Sequence, residues 1–186
     1  MANADAGFGF KAINAVGGPY TGQTERVVIL SGNGTVTYVG DPVKITTTAA
    51  NADGTPSVIQ GAAGSPVFGV VTSFEADPDN LSLQYRAATT KRFAQVVRSD
   101  NAYFEVQAKA NPGLASVGAN IAFVITGGSA YTGMSGTEIV TPTVATSGDC
   151  QIVRGANRPD NDLTLSNSVW VVKFNNTRGR SGALGT

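Results

Sequence analysis

Two loops of the sequence gather enough acidic side chains to suggest a cation site. One contains Asp77 and Asp79, and the other contains Asp160 and Asp162, each with a neighbouring Asn and Pro. A hard cation such as Ca²⁺ needs about six to eight oxygen ligands, so neither loop is sufficient alone. Whether the two loops meet in space is left open by the sequence. Because Asp and Asn beside Pro are ordinary turn formers, we interpret both loops as turns.

Three glutamates could supply carboxylates for glycoside hydrolysis, a reaction that needs no histidine. They are Glu75, Glu105 and Glu138, and nothing in the sequence fixes their separation. Glu105 lies between Phe104 and Val106, so in a strand it points to the opposite face from those two side chains. We expect it to face solvent or to pair with an arginine across the sheet, the candidates being Arg86, Arg92 and Arg98.

The absence of histidine narrows the possible chemistry further. It removes the Ser-His-Asp and Cys-His nucleophile systems and every His-ligated metal site. The single cysteine, Cys150, has no partner for an intrachain disulfide, and we predict that it is a buried or half-buried small apolar side chain. No Gly-Lys-Ser/Thr phosphate loop occurs. The sequence therefore predicts a non-enzymatic protein with no cofactor and no metal.

Composition and charge exclude several partners. The chain has 186 residues, enough for one all-β domain, and only 14% of them are charged. Lys plus Arg and Asp plus Glu both total 13, so no net charge attracts nucleic acid or an anionic membrane. The first residues lack the features of a signal peptide, and no apolar run is long enough to cross a membrane. We expect the protein to be made in the cytoplasm, without nucleic-acid or membrane partners.

The pattern of short apolar runs and turns indicates an all-β fold. No segment has the sustained apolar spacing of a helix, whereas turn formers recur at the spacing typical of sandwiches and barrels. The stretch Pro66–Gln107 is predicted to form a core meander of consecutive antiparallel strands. Strands are predicted at Arg26–Leu30, Thr35–Val39, Val43–Thr47, Ser57–Gln60, Pro66–Phe74, Leu81–Ala87, Arg92–Arg98, Tyr103–Gln107, Asn120–Thr126, Gln151–Val153 and Val169–Phe174.

We therefore predict a single antiparallel β-barrel or sandwich-like domain with extended N- and C-terminal arms. Residues 1–24 are expected to form a flexible N-terminal arm, residues 25–174 the β-rich body and residues 175–186 a C-terminal tail. Within the body, residues 127–149 form a Gly/Ser/Thr-rich excursion with few core residues. Phe8 and Phe10 in the N-terminal arm are expected either to dock on a neighbour or to pack on the protein's own body.

Several collinear stretches give the sequence a family resemblance. Phe68–Val71, Pro78–Ala88 and Phe104–Gln107 are similar to a family of tailed-bacteriophage virion proteins, the capsid decoration or cement proteins. Further similar stretches, spread over most of the chain, are Pro19–Gly22, Gly40–Val43, Val117–Asn120, Thr132–Gly136, Arg158–Asn161 and Val172–Asn176.

The resemblance implies a β-rich structural protein that binds the outside of a mature capsid and clamps neighbouring copies of the major capsid protein. Members of such a family are often trimeric, so a homo-oligomer, preferably a trimer, on the virion exterior is expected. Arms that order on docking would give reach between capsomers. The contact residues expected on this basis are Phe8 and Phe10 and, in the tail, Arg178 and Arg180.

Two rival functions remain. A tail or fibre component that binds host glycans would also be rich in Ser, Thr and Asn, and it would need an exposed aromatic platform such as Trp170 or Tyr131. We expect Trp170 to be buried, because Val169, Val171 and Val172 surround it. The second rival is an enzyme, for which no catalytic constellation is apparent.

Overall fold

A computed structural model describes residues 3–15, 17–47, 51–140 and 148–177. This part of the chain is all-β, with a single turn of 3₁₀ helix at Leu114–Ser116. The strands are β1 (Lys11–Ala15), β2 (Gly18–Pro19), β3 (Glu25–Ile29), β4 (Pro42–Ile45), β5 (Val58–Gln60), β6 (Gly69–Phe74), β7 (Arg92–Arg98), β8 (Ala102–Gln107), β9 (Asn120–Ile121), β10 (Phe123–Val124), β11 (Glu138–Ile139), β12 (Cys150–Gly155) and β13 (Val169–Phe174).

The strands form two main antiparallel sheets and a small one. The six-stranded sheet has the order β2-β1-β8-β13-β12-β9, and the five-stranded sheet has the order β3-β7-β6-β4-β5. Strands β10 and β11 pair separately. The sheets pack as a sandwich and do not close into a barrel. The predicted all-β class is confirmed, and the sandwich is the form that it takes.

The five-stranded sheet contributes side chains to two separate cores. Val70 and Val97 point into the main core between the sheets, whereas their neighbours Val71 and Val96 point into a second core on the other side. Successive strand residues face opposite sides, which explains why these Val-Val pairs serve two cores at once. In the six-stranded sheet, Trp170 on β13 is fully buried, as predicted.

The expected N-terminal arm differs from the structure. Residues 11–15 form β1, which pairs with β8 in the six-stranded sheet. Phe10 is only 2% exposed and packs in the main core, with its ring centroid 4.8 Å from that of Phe174 and 5.7 Å from that of Phe123. Burial of an aromatic side chain is a large apolar gain, so this segment is part of the body.

The prediction that Pro66–Gln107 forms a core meander is wrong in two respects. Residues Leu81–Ala87 form turns and a bridge instead of a strand, and β7 and β8 lie in different sheets. Likewise, Thr35–Val39 makes only isolated bridges, at Thr37 and Val39. By contrast, the predicted strands at Val43–Thr47 and Ser57–Gln60 are largely present, since β4 and β5 pair as a hairpin on either side of the Asp53-Gly54 turn.

The excursion over residues 127–149 contributes more to the core than expected. Ser135, Thr137 and Ile139 are fully buried within it, and Val140 donates a backbone hydrogen bond to Ala122. The structure instead exposes the beginning of the excursion, where Tyr131 is 95% exposed.

Candidate binding surface

A buried arginine organises the loops at one end of the five-stranded sheet. Arg86 is fully buried, and its guanidinium donates to four backbone carbonyls. The acceptors are the carbonyls of Leu30 at 2.9 Å, Asn33 at 2.6 Å, Thr35 at 2.5 Å and Thr90 at 2.9 Å. Burial lowers the pKa of Arg86 from its usual value, but an arginine remains protonated at neutral pH.

A second arginine, Arg92, donates hydrogen bonds to backbone carbonyls of the neighbouring loop. Its side chain donates to the carbonyls of Glu75 at 3.0 Å and Leu83 at 2.6 Å, and also to that of Tyr85. Its guanidinium lies 5.4 Å from the centre of the Phe74 ring. Because the planar fork of arginine fixes several acceptors at once, these contacts give the loop of residues 75–91 a defined shape without a β-ladder.

The loop so fixed meets a second loop to form a surface that we call the tip, residues 80–85 with 128–133. The two loops touch where Gly133 packs against Gln84, since a Cβ built on Gly133 would lie 2.6 Å from the Cβ of Gln84. Tyr85 also stacks on Tyr38, with ring centroids 5.2 Å apart. The tip carries the two most exposed large apolar side chains of the described chain, Leu81 at 79% and Tyr131 at 95% exposure.

The Tyr131 loop is itself held by backbone hydrogen bonds. Ser129 N donates to Met134 O at 2.9 Å, and Gly133 N donates to Ser129 O at 2.8 Å. Val39 N donates to Gly133 O at 3.0 Å, which joins the loop to the body. The Leu81 loop is therefore fixed mainly by the side chain of Arg92, and the Tyr131 loop by its backbone hydrogen bonds.

A buried carboxylate anchors the chain just beyond this loop. Asp41 is fully buried and accepts hydrogen bonds from Ser135 Oγ at 2.5 Å, Thr137 Oγ1 at 3.3 Å, Gln60 Nε2 at 2.8 Å and Tyr38 N at 2.9 Å. Burial raises the pKa of the Asp41 carboxyl, although these four donors act in the opposite direction. The carboxylate thus joins residues 135–137 to both ends of the β4–β5 hairpin.

The contact residues expected from the resemblance do not come together as a surface. Phe10 is a core residue, and Phe8 is partly buried against the small cluster of Ala156, Val169 and Val171. The structure therefore favours the alternative that this segment packs on the protein's own body. Arg178 and Arg180 lie outside the described residues, so their expected role stays a prediction.

The residues that precede β1 also form hydrogen bonds with the body of the protein. Asn3 Nδ2 donates to the carbonyls of Asp162 at 2.8 Å and Ser166 at 2.9 Å. Gln107 Nε2 donates to Ala4 O at 2.7 Å and to Asn167 O at 3.0 Å. These contacts continue the strand β1 toward the loop that precedes β13.

A close backbone crossing fixes the entry into β1. Phe10 N donates to Gly40 O at 2.9 Å. A Cβ on Gly40 would lie 2.6 Å from Phe8 O, and Gly40 has a φ of +93°. Only glycine meets both demands without strain.

The two acidic loops behave as turns. Asp77 Oδ1 accepts from Asp79 N at 3.0 Å, and Asp162 Oδ1 accepts from Thr164 N at 2.9 Å and from its hydroxyl at 2.6 Å. Across the described ranges, no three His, Cys, Asp or Glu side chains are placed to hold a metal ion. The cation hypothesis thus gains no geometric support.

Two of the three candidate catalytic carboxylates form ion pairs, and the third is buried. Glu75 pairs with Arg26 at 2.6 Å, and Glu105 pairs with Arg158, which was not among the arginines expected for it. The expected partners Arg92 and Arg98 lie on β7, in the other sheet. The Glu138 side chain is buried, and its Oε1 has no hydrogen-bond partner among the described residues. Burial raises the pKa of this carboxyl, and the nearby charge of Asp5 adds to the effect.

Cys150 is fully buried, as predicted, and burial raises the pKa of its thiol well above the usual value.

No family model, curated protein or solved structure matches the chain. Within the part of the chain that the structure describes, no helix is long and apolar enough to span a membrane.

Proposed function

We propose that this chain is a structural virion protein that binds the outer surface of a phage capsid and clamps neighbouring major capsid proteins. The observation that carries the proposal is the tip, where Leu81 and Tyr131 are exposed on loops with defined backbone hydrogen bonds. Apolar side chains presented by an ordered backbone suit a contact surface, because little conformational entropy is lost when a partner covers them. The sequence resemblance to decoration proteins supplies the identity of that partner.

The described structure suits this role in a second way. In the proposed role the protein catalyses no reaction. It stabilises the capsid by mass action, because it binds the assembled capsid and not the free capsid subunits. The core of the sandwich, with Trp170 and Phe104 fully buried, gives the chain a body with an apolar core of its own. We include in the proposal a homo-oligomer, preferably a trimer, located on the capsid exterior.

The test is to mix the purified protein with undecorated, expanded capsids and to measure binding and capsid melting. We expect saturable binding and a higher melting temperature of the capsid. The double variant L81S/Y131S should bind at least about tenfold more weakly, because it removes both apolar contacts of the tip. The double variant L114S/L165S is the matched control, since those side chains are also exposed and apolar but lie outside the tip.

Absence of binding by the wild-type protein would refute the proposed function. Equal weakening by both double variants would instead refute the tip as the contact surface. The oligomeric state is measured separately, by sedimentation equilibrium of the free protein; a monomer at every concentration would remove the trimer from the proposal.

A second candidate function is supported by one specific observation. The glycan-binding alternative required an exposed aromatic platform, and Tyr131 is 95% exposed, whereas Trp170 is fully buried. An exposed tyrosine ring can stack on the apolar face of a sugar. This candidate predicts that Y131F retains binding to host-cell polysaccharide and Y131A loses it, and that only a few copies of the protein occur per virion. Hundreds of copies per virion would favour decoration.

A further inference from the structure

Strand β5 leaves one of its sides open. In the five-stranded sheet, β5 is the last strand and pairs with β4 over Val58–Gln60. On its other side it makes only one parallel bridge to β3, between Ser57 and Val28, where Val28 N donates to Pro56 O at 3.0 Å. Beyond that bridge the chain after β3 and strand β5 diverge, and a groove opens between them.

The hydrogen-bond pattern shows which backbone groups face the groove. Thr46 N donates to Ser57 O, and Gly61 N donates to Pro42 O, so Ser57 and Gly61 direct their groups toward β4. In an antiparallel pair such bonding residues alternate with residues whose groups point away. The N–H and C=O groups of Gln60 therefore point into the groove, and no hydrogen bond joins them to another described residue.

The opposite wall of the groove has a fixed shape. It consists of residues 30–35, whose carbonyls at Leu30, Asn33 and Thr35 are held by the buried Arg86. The cavity between the walls measures about 690 Å³, and Ile125 also lines it. Among the described residues, no Asp, Glu, Lys or Arg lines it, so these residues offer a charged ligand no counter-ion.

We propose that this groove, the β5 groove, binds an extended and uncharged peptide segment of a partner protein by adding it as a strand to β5. Three features define the occupant. The backbone groups of Gln60, which have no partner among the described residues, call for a main-chain partner. The walls mix apolar and uncharged polar side chains and so suit apolar or hydroxyl side chains, and the lack of a lining charge disfavours a charged segment. The inference rests on the proposed function only for the source of the peptide, which would be the capsid protein.

A pair of variants isolates the backbone contact. Q60P removes the N–H that would bond to the peptide but spares the ladder with β4, and Q60A keeps that N–H. Both variants lose the same side-chain hydrogen bond from Gln60 Nε2 to Asp41. Any difference between the two variants therefore reports the backbone donor.

The probe is a display library of random decapeptides selected on the wild-type protein. We expect the enriched peptides to be uncharged and rich in β-branched residues, with a Kd that rises roughly tenfold in Q60P and about twofold or less in Q60A. In the wild-type protein, the Gln60 amide should gain protection from hydrogen exchange when a selected peptide binds. Methylation of alternate peptide nitrogens should abolish binding.

The proposal is overturned if no peptide is enriched, if the enriched peptides are charged, or if Q60P and Q60A bind them equally. Unfolding curves check that both variants are folded, and the exchange measurement on the wild-type chain decides the matter if Q60P is not. Weaker capsid binding by Q60P than by Q60A would support the capsid protein as the source. Equal capsid binding by the two would overturn that source and leave the proposed function intact.

Discussion

Replacement of Arg86 by methionine should destabilise the protein far more than loss of an exposed arginine. Four carbonyls accept from the guanidinium. Those of Leu30 and Asn33 also accept from Asn33 N and Thr89 N, so they keep a partner in the variant. The carbonyls of Thr35 and Thr90 have no second donor among the described residues.

The magnitude follows from those two carbonyls. Leaving a buried polar group unsatisfied costs about 1–3 kcal/mol. Because Thr35 is an exposed residue and Thr90 a half-buried one, water can replace part of each lost bond, so we take about 1–2 kcal/mol for each carbonyl, or about 2–4 kcal/mol for two. Methionine also removes the cost of burying a charge, so we expect R86M to lower the free energy of unfolding by about 2–4 kcal/mol. R86K should fall between R86M and the wild type, because an ammonium group cannot reproduce the planar fork.

The assay is equilibrium unfolding in urea, with the slope checked for constancy so that the midpoint reports stability. R154M is the matched control: Arg154 is exposed and donates to a single carbonyl, that of Gly155, at 3.4 Å. A surface change of this kind is expected within about 0.5 kcal/mol of the wild type. If R86M lost less than about 1 kcal/mol, the argument that Arg86 holds the loops together would be refuted.

Three further predictions concern other buried positions. G40A should destabilise by about 2 kcal/mol or more in urea unfolding, because its Cβ would meet Phe8 O at 2.6 Å, whereas G64A, with a similar positive φ but open space, should cost about 1 kcal/mol. Burial raises the pKa of Asp41, so the stability linked to its proton is fully present below the usual carboxyl pKa and is lost as pH rises through the raised pKa. The free energy of unfolding of the wild type relative to D41N should therefore fall as pH rises from acid to neutral in urea titrations. Finally, the thiol of Cys150, fully buried and with a raised pKa, should react with a thiol reagent only at the rate of unfolding.

Each of these predictions has a clear contrary result. Equal losses for G40A and G64A would show that the crossing with Phe8 yields easily. A difference between wild type and D41N that is constant or grows with pH would contradict the raised pKa of Asp41. Labelling of Cys150 at the rate of a free thiol, under conditions where the protein is folded, would contradict its burial.

The strand positions were largely predictable because they depend on local composition. Runs such as Val169–Phe174 combine β-branched and aromatic residues between turn formers, and that pattern depends little on the rest of the fold. The stretch Leu81–Ala87 has the same alternation but forms no strand. Its carbonyls at Leu83 and Tyr85 accept from Arg92 instead of from a neighbouring strand. The local sequence does not distinguish an arginine whose side chain is exposed to solvent from one whose side chain donates to the carbonyls of a loop.

The prediction of a flexible N-terminal arm over residues 1–24 is wrong for residues 11–15 for a different reason. Strand β1 has no apolar run, because its residues are at most half-buried, and it is placed by pairing with β8 about ninety residues away. Such a pairing is invisible to local patterns. Tyr131, in contrast, was noted in the sequence as a possible platform, although only the structure could show it exposed while Trp170 is buried. The sequence pattern gives no indication that Arg86 and Asp41 are buried, since it shows only polar residues next to predicted strands.

Binding to undecorated, expanded capsids tests the central claim most directly. We expect saturable binding at hundreds of sites per capsid, a rise in capsid melting temperature, and a loss of at least about tenfold in affinity for L81S/Y131S but not for L114S/L165S. Capsids that melt at the same temperature with and without the protein, with no protein bound, would contradict it.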